Sequence, residues 1–291
     1  MTMNKKTANG QKKSELYCFL NGKIIPLKDA QVGINDIGIL RGYGISDVMK
    51  AYGTKVFLID RHFDRFFNSA GALGIKVPYS RKTIAEIITK LLKKNGFPYS
   101  SIRMITTGGE MLGGITFDAK KPTFFITIEP FVEYPSEYYT NGVKLITREY
   151  ERFMPHIKST RYLPAVLWHK DKVQEGAVEV LYVSGDQVLE CSTSNFFIVK
   201  DGVLITAKDS ILNGITRQVT LELARDEFPI EERPLSKDEL FAADEAFLTA
   251  TNKRIVPVVT VDGAKIGEGK VGDITKKLIE FFGNYVSARY K

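Results

Sequence analysis

The chain has 291 residues, a formal net charge of +7, 44% hydrophobic residues and 26% charged residues. These values are typical of a globular chain long enough for about two domains, and they exclude a largely disordered protein. The two cysteines, Cys18 and Cys191, are too few for a disulfide scaffold or a four-cysteine zinc site. They favour the reducing cytoplasm, which is the predicted location.

Part of the positive charge lies at the N-terminus, where four lysines occur without an apolar segment. Residues 1–15 are therefore predicted to be a disordered basic tail and not a secretory signal. Elsewhere many basic residues stand beside acids, as in Lys170-Asp171-Lys172. We therefore expect no nucleic-acid partner. No run approaches the ~20 apolar residues of a membrane span, so no membrane partner is expected either.

Residues 16–130 are predicted to form a smaller N-terminal α+β domain, from turn signals and from apolar residues at helical spacing. Its predicted elements are a hairpin at Asn21-Gly22, a tight turn at Gly53-Thr54, a helix over Asp60–Leu73 with Asp60 as its N-cap, a helix from Ser80 to Gly96, and strands over Ile102–Thr107 and Thr123–Ile128.

Residues 131–142 contain Pro135 and follow neither the helical nor the strand period, so they are predicted to be the linker to a larger C-terminal domain over residues 143–291. The elements predicted there are a strand over Val143–Tyr150, a helix over Tyr162–Glu175, hairpins at Gly185-Asp186, Asp201-Gly202 and Asp262-Gly263, a helix after Gly214, a short helix with Ser236 and Glu239 as a capping box, a strand over Ala246–Thr251 and a terminal helix from Asp273. Hairpins outnumber strand–helix–strand units, which indicates the α+β class.

Two residues of the second half are candidates for chemistry. Lys158, which is predicted at a strand end before a helix, follows an apolar residue, and a desolvated amine there is a nucleophile toward carbonyls. Glu190 closes a predicted strand, where a carboxylate can hold a pyridinium nitrogen protonated. The plain alternatives are a surface lysine beside a turn, the commoner case for any single lysine, and an ordinary acid at a strand end.

Two further features suit an anion. The segment Asn213-Gly214-Ile215-Thr216 opens a predicted helix, where free N–H groups attract negative charge. Arg65 is a candidate fork for a phosphate. Plain helix capping and an exposed helical arginine are the respective alternatives. No metal site is predicted, because the three histidines are scattered and no metal-binding, dinucleotide or P-loop spacing occurs.

Several short segments occur in a distinctive order along nearly the whole chain, from about Phe19 to the terminal helix. They are Asp36-x-Gly38, Gly42-Tyr43-Gly44, His62-Phe63-Asp64-Arg65, Lys158-Ser159-Thr160-Arg161-Tyr162-Leu163, Glu190 with its Ser/Thr cluster and Asn195-Phe196-Phe197, Gly214-Ile215-Thr216-Arg217, and Leu248-Thr249-Ala250-Thr251 with Pro257-Val258. Together they resemble the class IV pyridoxal-phosphate (PLP) aminotransferases, a family of branched-chain and D-amino acid aminotransferases and aminodeoxychorismate lyase. The resemblance implies a two-domain D-amino acid aminotransferase-like fold (PLP fold type IV) and a homodimer.

The resemblance also implies roles for individual residues. Lys158 would form the Schiff base with PLP and then act as the base that moves a proton, while Glu190 would pair with the pyridine nitrogen. The remaining implied cofactor-binding residues are Arg65, Tyr162, Thr193, Leu212, Ile215, Thr216 and Thr251. The candidate substrate-binding residues are Arg41, Ser46, Arg103 and Asn252, of which Arg41 and Arg103 are equally compatible with surface or ion-paired roles.

The activity that the resemblance implies is transfer of an amino group between an amino acid and a 2-oxo acid such as 2-oxoglutarate, by ping-pong kinetics through pyridoxamine phosphate. Branched-chain donors are the first expectation, because that is the commonest activity among such sequences. D-amino acid transamination and the aminodeoxychorismate lyase reaction are the alternatives. Ser46, Arg41, Arg161 and Cys191 depart from residues that are common in the branched-chain group, which leaves the donor open.

Overall fold

Residues 15–290 are described by a computed structural model, and the first half of this stretch is built on a six-stranded sheet with neighbours in the order β2-β1-β8-β5-β3-β4. Every pairing within this sheet is antiparallel. The strands are β1 (Tyr17–Leu20), β2 (Lys23–Pro26), β3 (Gly44–Tyr52), β4 (Lys55–Val56), β5 (Tyr99–Thr107), β6 (Met111–Gly113), β7 (Thr116–Phe117) and β8 (Thr123–Pro130), with β6 and β7 paired only to each other.

Hairpins and helices connect these strands. Asn21 and Gly22 both have positive φ, at 44° and 97°, which matches the twist of a two-residue hairpin and confirms the predicted turn. The helices are α1 (Ile37–Arg41), α2 (Ile59–Ala72) and α3 (Arg81–Asn95), and a 3-10 turn covers Leu27–Asp29. The side chain of Ser80 caps α3 and Gly96 ends it, as predicted.

Helix α2 begins differently from its prediction. Asp60 is not the N-cap, because the helix starts at Ile59 and Leu58 is its cap in a left-handed conformation, without a side-chain hydrogen bond. The N–H of Leu58 instead donates to the hydroxyl of Tyr290 at 3.1 Å. A partner 232 residues away in the chain therefore takes the place of a local cap.

The second half is built on a ten-stranded mixed sheet in which β9 runs parallel to both β10 and β17. Its strands are β9 (Val143–Glu149), β10 (Glu179–Ser184), β11 (Gln187–Cys191), β12 (Asn195–Lys200), β13 (Val203–Thr206), β14 (Ile230–Glu232), β15 (Leu235–Ser236), β16 (Glu245–Ala250), β17 (Arg254–Val261) and β18 (Ala264–Lys265). The helices are α4 (Glu137–Thr140), α5 (Leu163–Leu167), α6 (His169–Gln174), α7 (Ile215–Ala224), α8 (Lys237–Phe241) and α9 (Asp273–Tyr290).

The single helix predicted over Tyr162–Glu175 is wrong, since two short helices, α5 and α6, meet at Trp168. The ring of Trp168 packs edge-on against Tyr150 and Tyr182. These tertiary contacts anchor the residue at which α5 ends and α6 begins. The capping box at Ser236 and the three predicted hairpins are confirmed.

Both halves combine antiparallel hairpins with separate helices, which confirms the α+β class. The strands of the two large sheets lie on either side of the predicted linker, which contains α4, while the domain bounds themselves stay predictions. The predicted tail lies outside the described residues except for Glu15, which pairs with Lys28 at 2.7 Å. Within residues 15–290, no helix is long and apolar enough to cross a membrane.

Candidate active site

A cavity of about 620 Å³ is lined by residues of both sheets and of the segments that join their strands. Its volume is within the usual range for small-molecule sites. Most of the residues singled out from the sequence line it. They are Arg65, Arg103, Lys158, Tyr162, Glu190, Thr193, Leu212, Ile215, Thr216, Thr251 and Asn252.

Lys158 lies in the loop between β9 and α5, so the prediction that it ends a strand is wrong. Main-chain hydrogen bonds hold this loop against β3, because the Lys158 carbonyl accepts from Ser46 N and the Gly44 carbonyl accepts from Thr160 N, both at 2.9 Å. The Lys158 N–H donates to Ser69 Oγ at 3.2 Å. A loop from the second half of the chain is thereby fixed on the first sheet.

The amine of Lys158 contacts the phenol of Tyr162. Lys158 Nζ lies 3.0 Å from the Tyr162 hydroxyl. The positive charge of Lys158 lowers the pKa of Tyr162 below that of a free tyrosine, although burial opposes the shift. The amine of Lys158 therefore makes the Tyr162 hydroxyl a stronger acid than that of a free tyrosine.

Glu190 lies near the end of β11 and is 5% exposed. Its Oε1 accepts from Arg152 Nε at 2.7 Å, and its Oε2 accepts from Leu212 N at 3.0 Å and from Asn195 Nδ2 at 3.3 Å. Burial raises the pKa of Glu190 above its ordinary value, and the Arg152 guanidinium opposes this shift. Glu190 is thus a desolvated carboxylate held in a fixed orientation at the cavity wall.

Helix α7 presents its N-terminus to the cavity. Gly214 is the N-cap and provides no side-chain cap, and a Cβ there would come 2.1 Å from Asn195 Oδ1. Among the described residues, the N–H groups of Ile215 and Thr216 donate to no backbone or side-chain oxygen. Thr249 Oγ1 is also buried in the cavity wall without a partner in that part of the chain. These free donors form a site for an anion.

Arg65 reaches the cavity from α2 and is held by Asp47 of β3. Its Nε and Nη2 donate to the two carboxylate oxygens of Asp47, each at 2.8 Å. Asp47 is fully buried, and His62 Nδ1 lies 2.7 Å from Asp47 Oδ1. The charge of Arg65 is therefore paired, and its guanidinium has a defined orientation.

Thr193 belongs to a buried polar cluster on another wall. Its hydroxyl and N–H donate to Glu179 at 2.8 Å each. Lys253 pairs with the same carboxylate at 2.5 Å and also donates to Thr193 Oγ1 at 2.8 Å. Lys253 and the donors from Ser194 and Thr193 lower the pKa of Glu179 to about 2, against the effect of burial. This cluster joins the Ser/Thr turn after β11 to the turn before β17.

The predicted substrate residues divide into two groups. Arg103 and Asn252 line the cavity, and Asn252 Nδ2 lies 3.4 Å from the Tyr134 hydroxyl. Arg41 and Ser46 do not line it. Arg41 is exposed at the end of α1, where it donates to the Leu40 carbonyl, and Ser46 contributes its N–H to the Lys158 loop.

The sequence interpretation missed Arg152, Asp47 and Lys253. Arg152 and Lys253 gave no local signal, because each pairs with an acid distant in the chain. Asp47 did give a local signal, because it is an acid in a segment with several apolar residues. That segment is the buried strand Gly44–Tyr52, and a buried acid needs a partner. No group of three or more His, Cys, Asp or Glu residues that could hold a metal occurs within residues 15–290.

Comparisons with known proteins agree on one family. Residues 44–261 match the family "Amino-transferase class IV". The chain is 36% identical over 277 residues to the "Putative branched-chain-amino-acid aminotransferase" of Methanocaldococcus jannaschii, covering 91% of this chain and 94% of the relative. It is 34% identical over 281 residues to the D-alanine aminotransferase of Staphylococcus aureus N315, covering 93% and 98%.

The fold is also that of solved structures. The branched-chain amino acid aminotransferase of Escherichia coli superposes with a TM-score of 0.86 at 27% identity. The alignment covers 92% of this chain and 94% of that one. This similarity confirms the D-amino acid aminotransferase-like fold (PLP fold type IV) that the resemblance implied.

The contact between Lys158 and Tyr162 can be tested through the pKa of Tyr162 in the protein without cofactor. Lys158→Met removes the ammonium, so we expect the pKa of Tyr162 to rise. The pKa of Tyr162 is measured by ultraviolet titration, as the difference between each protein and the same protein that also carries Tyr162→Phe. Lys172→Met, which removes another cavity lysine, should leave this pKa unchanged. An unaltered Tyr162 pKa in Lys158→Met would contradict the assigned contact.

Proposed function

The chain belongs to the class IV aminotransferases, and we propose that it uses PLP to move an amino group between an amino acid and a 2-oxo acid in two half-reactions with ping-pong kinetics. The observation that carries the proposal is the arrangement around one cavity of the Lys158 amine, the buried Glu190 carboxylate and the free N–H groups at the start of α7.

The donor and acceptor groups of the cavity fit PLP. Lys158 offers an amine for the aldehyde, and Glu190 offers a fixed carboxylate for the ring nitrogen. The N–H groups of Ile215 and Thr216, the unpartnered Thr249 hydroxyl and Arg65 are donors for the phosphate. When bound, the cofactor supplies an aldehyde carbon that takes up the amino group and a ring that accepts the electrons released at Cα.

The protein's own groups then have separate tasks. The amine of Lys158 would be the base that takes the Cα proton of the substrate, and its loop is fixed by β3. Glu190 would hold a proton on the ring nitrogen, because a positive charge there compensates the charge of the buried carboxylate. Tyr162 would donate to the ring hydroxyl oxygen, and its own oxygen accepts from the amine of Lys158.

Branched-chain amino acids are the proposed donors, with 2-oxoglutarate as the acceptor. Apolar side chains form part of the cavity wall, including Val48, Val166 and Leu212, and they suit an aliphatic substrate side chain. Arg103 lines the same cavity and can pair with a substrate carboxylate. D-alanine is the second candidate donor, because relatives with that activity in their names are 33–34% identical over nearly the whole chain.

We also propose that the protein is a homodimer, as the family resemblance implies. Four large apolar side chains on α5 and α6 are 60–76% exposed in the single chain, namely Leu163, Val166, Leu167 and Val173. An exposed apolar group of this kind marks an interface. Since Val166 also lines the cavity, the second copy would lie near the site.

Two substitutions test the assigned chemistry. Lys158→Ala should abolish transamination, because the base is lost, while PLP still binds through its phosphate. Glu190→Gln should retain the cofactor and lose turnover by about 100-fold or more, because the ring nitrogen is no longer held protonated. Steady-state rates and bound-cofactor absorbance measure both. Lys172→Ala is the matched control, and near-normal turnover of Lys158→Ala would exclude this role.

The donor is tested by mixing PLP-loaded protein with single amino acids. L-leucine should remove the visible absorbance of the bound cofactor faster than D-alanine in stopped-flow measurements. Faster conversion by D-alanine would establish the second candidate. Release of pyruvate from aminodeoxychorismate, without conversion by either amino acid, would contradict transamination.

The dimer is tested by placing a charge on its proposed interface. Leu167→Asp should convert a dimer into a monomer in sedimentation equilibrium, because an unpaired carboxylate cannot be buried at low cost. Phe241→Asp, which changes an exposed residue of α8, should leave the dimer intact. A monomeric unmodified protein, or a Leu167→Asp dimer of unchanged stability, would contradict the proposed interface.

A further inference from the structure

Asp47 is a fully buried carboxylate on a strand that is otherwise largely apolar. It does not line the cavity, although the next residue, Val48, does. Since side chains alternate along a strand, Asp47 points to the opposite face, where α2 packs on β3. The chemistry at Lys158 therefore does not use Asp47 directly.

The contacts of Asp47 define how Arg65 is held. The carboxylate takes one edge of the guanidinium, formed by Nε and Nη2, with both distances at 2.8 Å. Among the described residues, Nη1 of Arg65 makes no hydrogen bond, and Arg65 lines the cavity. A bidentate fork thus fixes the plane of the guanidinium and leaves one nitrogen free for a ligand.

His62 also contacts the carboxylate of Asp47. It is fully buried, and its Nδ1 lies 2.7 Å from Asp47 Oδ1. Burial lowers the pKa of His62, which favours the neutral ring with Nδ1–H donating to Asp47. Asp47 Oδ1 then accepts from both His62 and Arg65, so the carboxylate cannot rotate without losing hydrogen bonds.

Building on the proposed function, we propose that Asp47 is a positioning residue that orients Arg65, so that its free Nη1 meets the phosphate of the cofactor. A long arginine side chain loses rotamer freedom when it binds a ligand. The two hydrogen bonds to Asp47 already restrict Arg65 before the ligand binds, so much less freedom is lost on binding. Replacing Asp47 should therefore weaken the binding of the phosphate and leave the binding of the rest of the cofactor unchanged.

The test compares equilibrium binding of PLP and of pyridoxal, which lacks the phosphate, to protein without cofactor. The dissociation constant of pyridoxal divided by that of PLP measures how much the phosphate strengthens binding. In Asp47→Asn we expect this ratio to fall about 10-fold, because the amide nitrogen faces an arginine donor and the fork is lost. The control is Asp64→Asn. Asp64 lies on α2, as Arg65 does, and forms an exposed ion pair with Arg81 of α3, so its loss should leave the ratio unchanged.

A second pair of variants separates positioning from general support of the fold. Arg65→Gln and the double variant Asp47→Asn/Arg65→Gln should give the same ratio, because Asp47 acts through Arg65. The double variant also serves if Asp47→Asn alone fails to fold, since it leaves neither an unpaired guanidinium nor an unpaired buried carboxylate at this position. Asp47→Glu, which keeps the charge and shifts the fork, should give an intermediate ratio.

The outcomes distinguish the two proposals. Unmodified protein that binds neither ligand would contradict the proposed function itself. Unmodified protein that binds both, together with an unchanged ratio or tighter PLP binding in Asp47→Asn, would overturn the role of Asp47. A further fall in the ratio when Asp47→Asn is added to Arg65→Gln would overturn it as well.

Discussion

The site depends on the attachment of one loop to a strand of the other sheet. The segment around Lys158 follows β9 in sequence, yet its main chain bonds to Gly44 and Ser46 at the start of β3. These bonds join backbone groups, so the main chain itself fixes the position of the loop. The attachment carries the Lys158 amine into the space between the two halves, where Glu190 and the start of α7 provide the other walls.

The buried acids around this space are each tied to a cation, with different consequences. Asp47 pairs with Arg65, Glu179 with Lys253 and Glu190 with Arg152. Such pairing offsets the cost of removing charge from water. Arg65 and His62 lower the pKa of Asp47, and Lys253 with several hydroxyl donors lowers that of Glu179.

Glu190 differs from these two acids. It has one guanidinium, one main-chain N–H and one amide as donors, and burial raises its pKa. Of the three carboxylates, it is therefore the one for which sharing a proton with a ring nitrogen costs least. Asp47 and Glu179 have the character of structural anions that fix the positions of Arg65 and Thr193.

Local sequence signals predicted the features that have local causes. The hairpin at Asn21-Gly22, the Ser80 cap and the box at Ser236 depend on neighbouring residues, and all three were predicted correctly. The errors arise from distant contacts, because Tyr290 supplies the partner for the start of α2, and the Trp168 ring, at the junction of α5 and α6, packs against Tyr150 and Tyr182. The motifs located Lys158, Glu190 and the start of α7, but the partners Arg152, Asp47 and Lys253 depend on tertiary pairing that no motif encodes.

We propose that Lys158 is the lysine that binds PLP, and two other lysines line the same cavity. Lys172 is a real competitor because burial lowers its pKa, and Lys253 is buried beside Glu179. Borohydride reduction of PLP-loaded protein, followed by digestion and mass spectrometry, identifies the modified residue. We expect the added cofactor mass on the peptide that contains Lys158, and a modification at Lys172 or Lys253 would contradict the assigned role of Lys158.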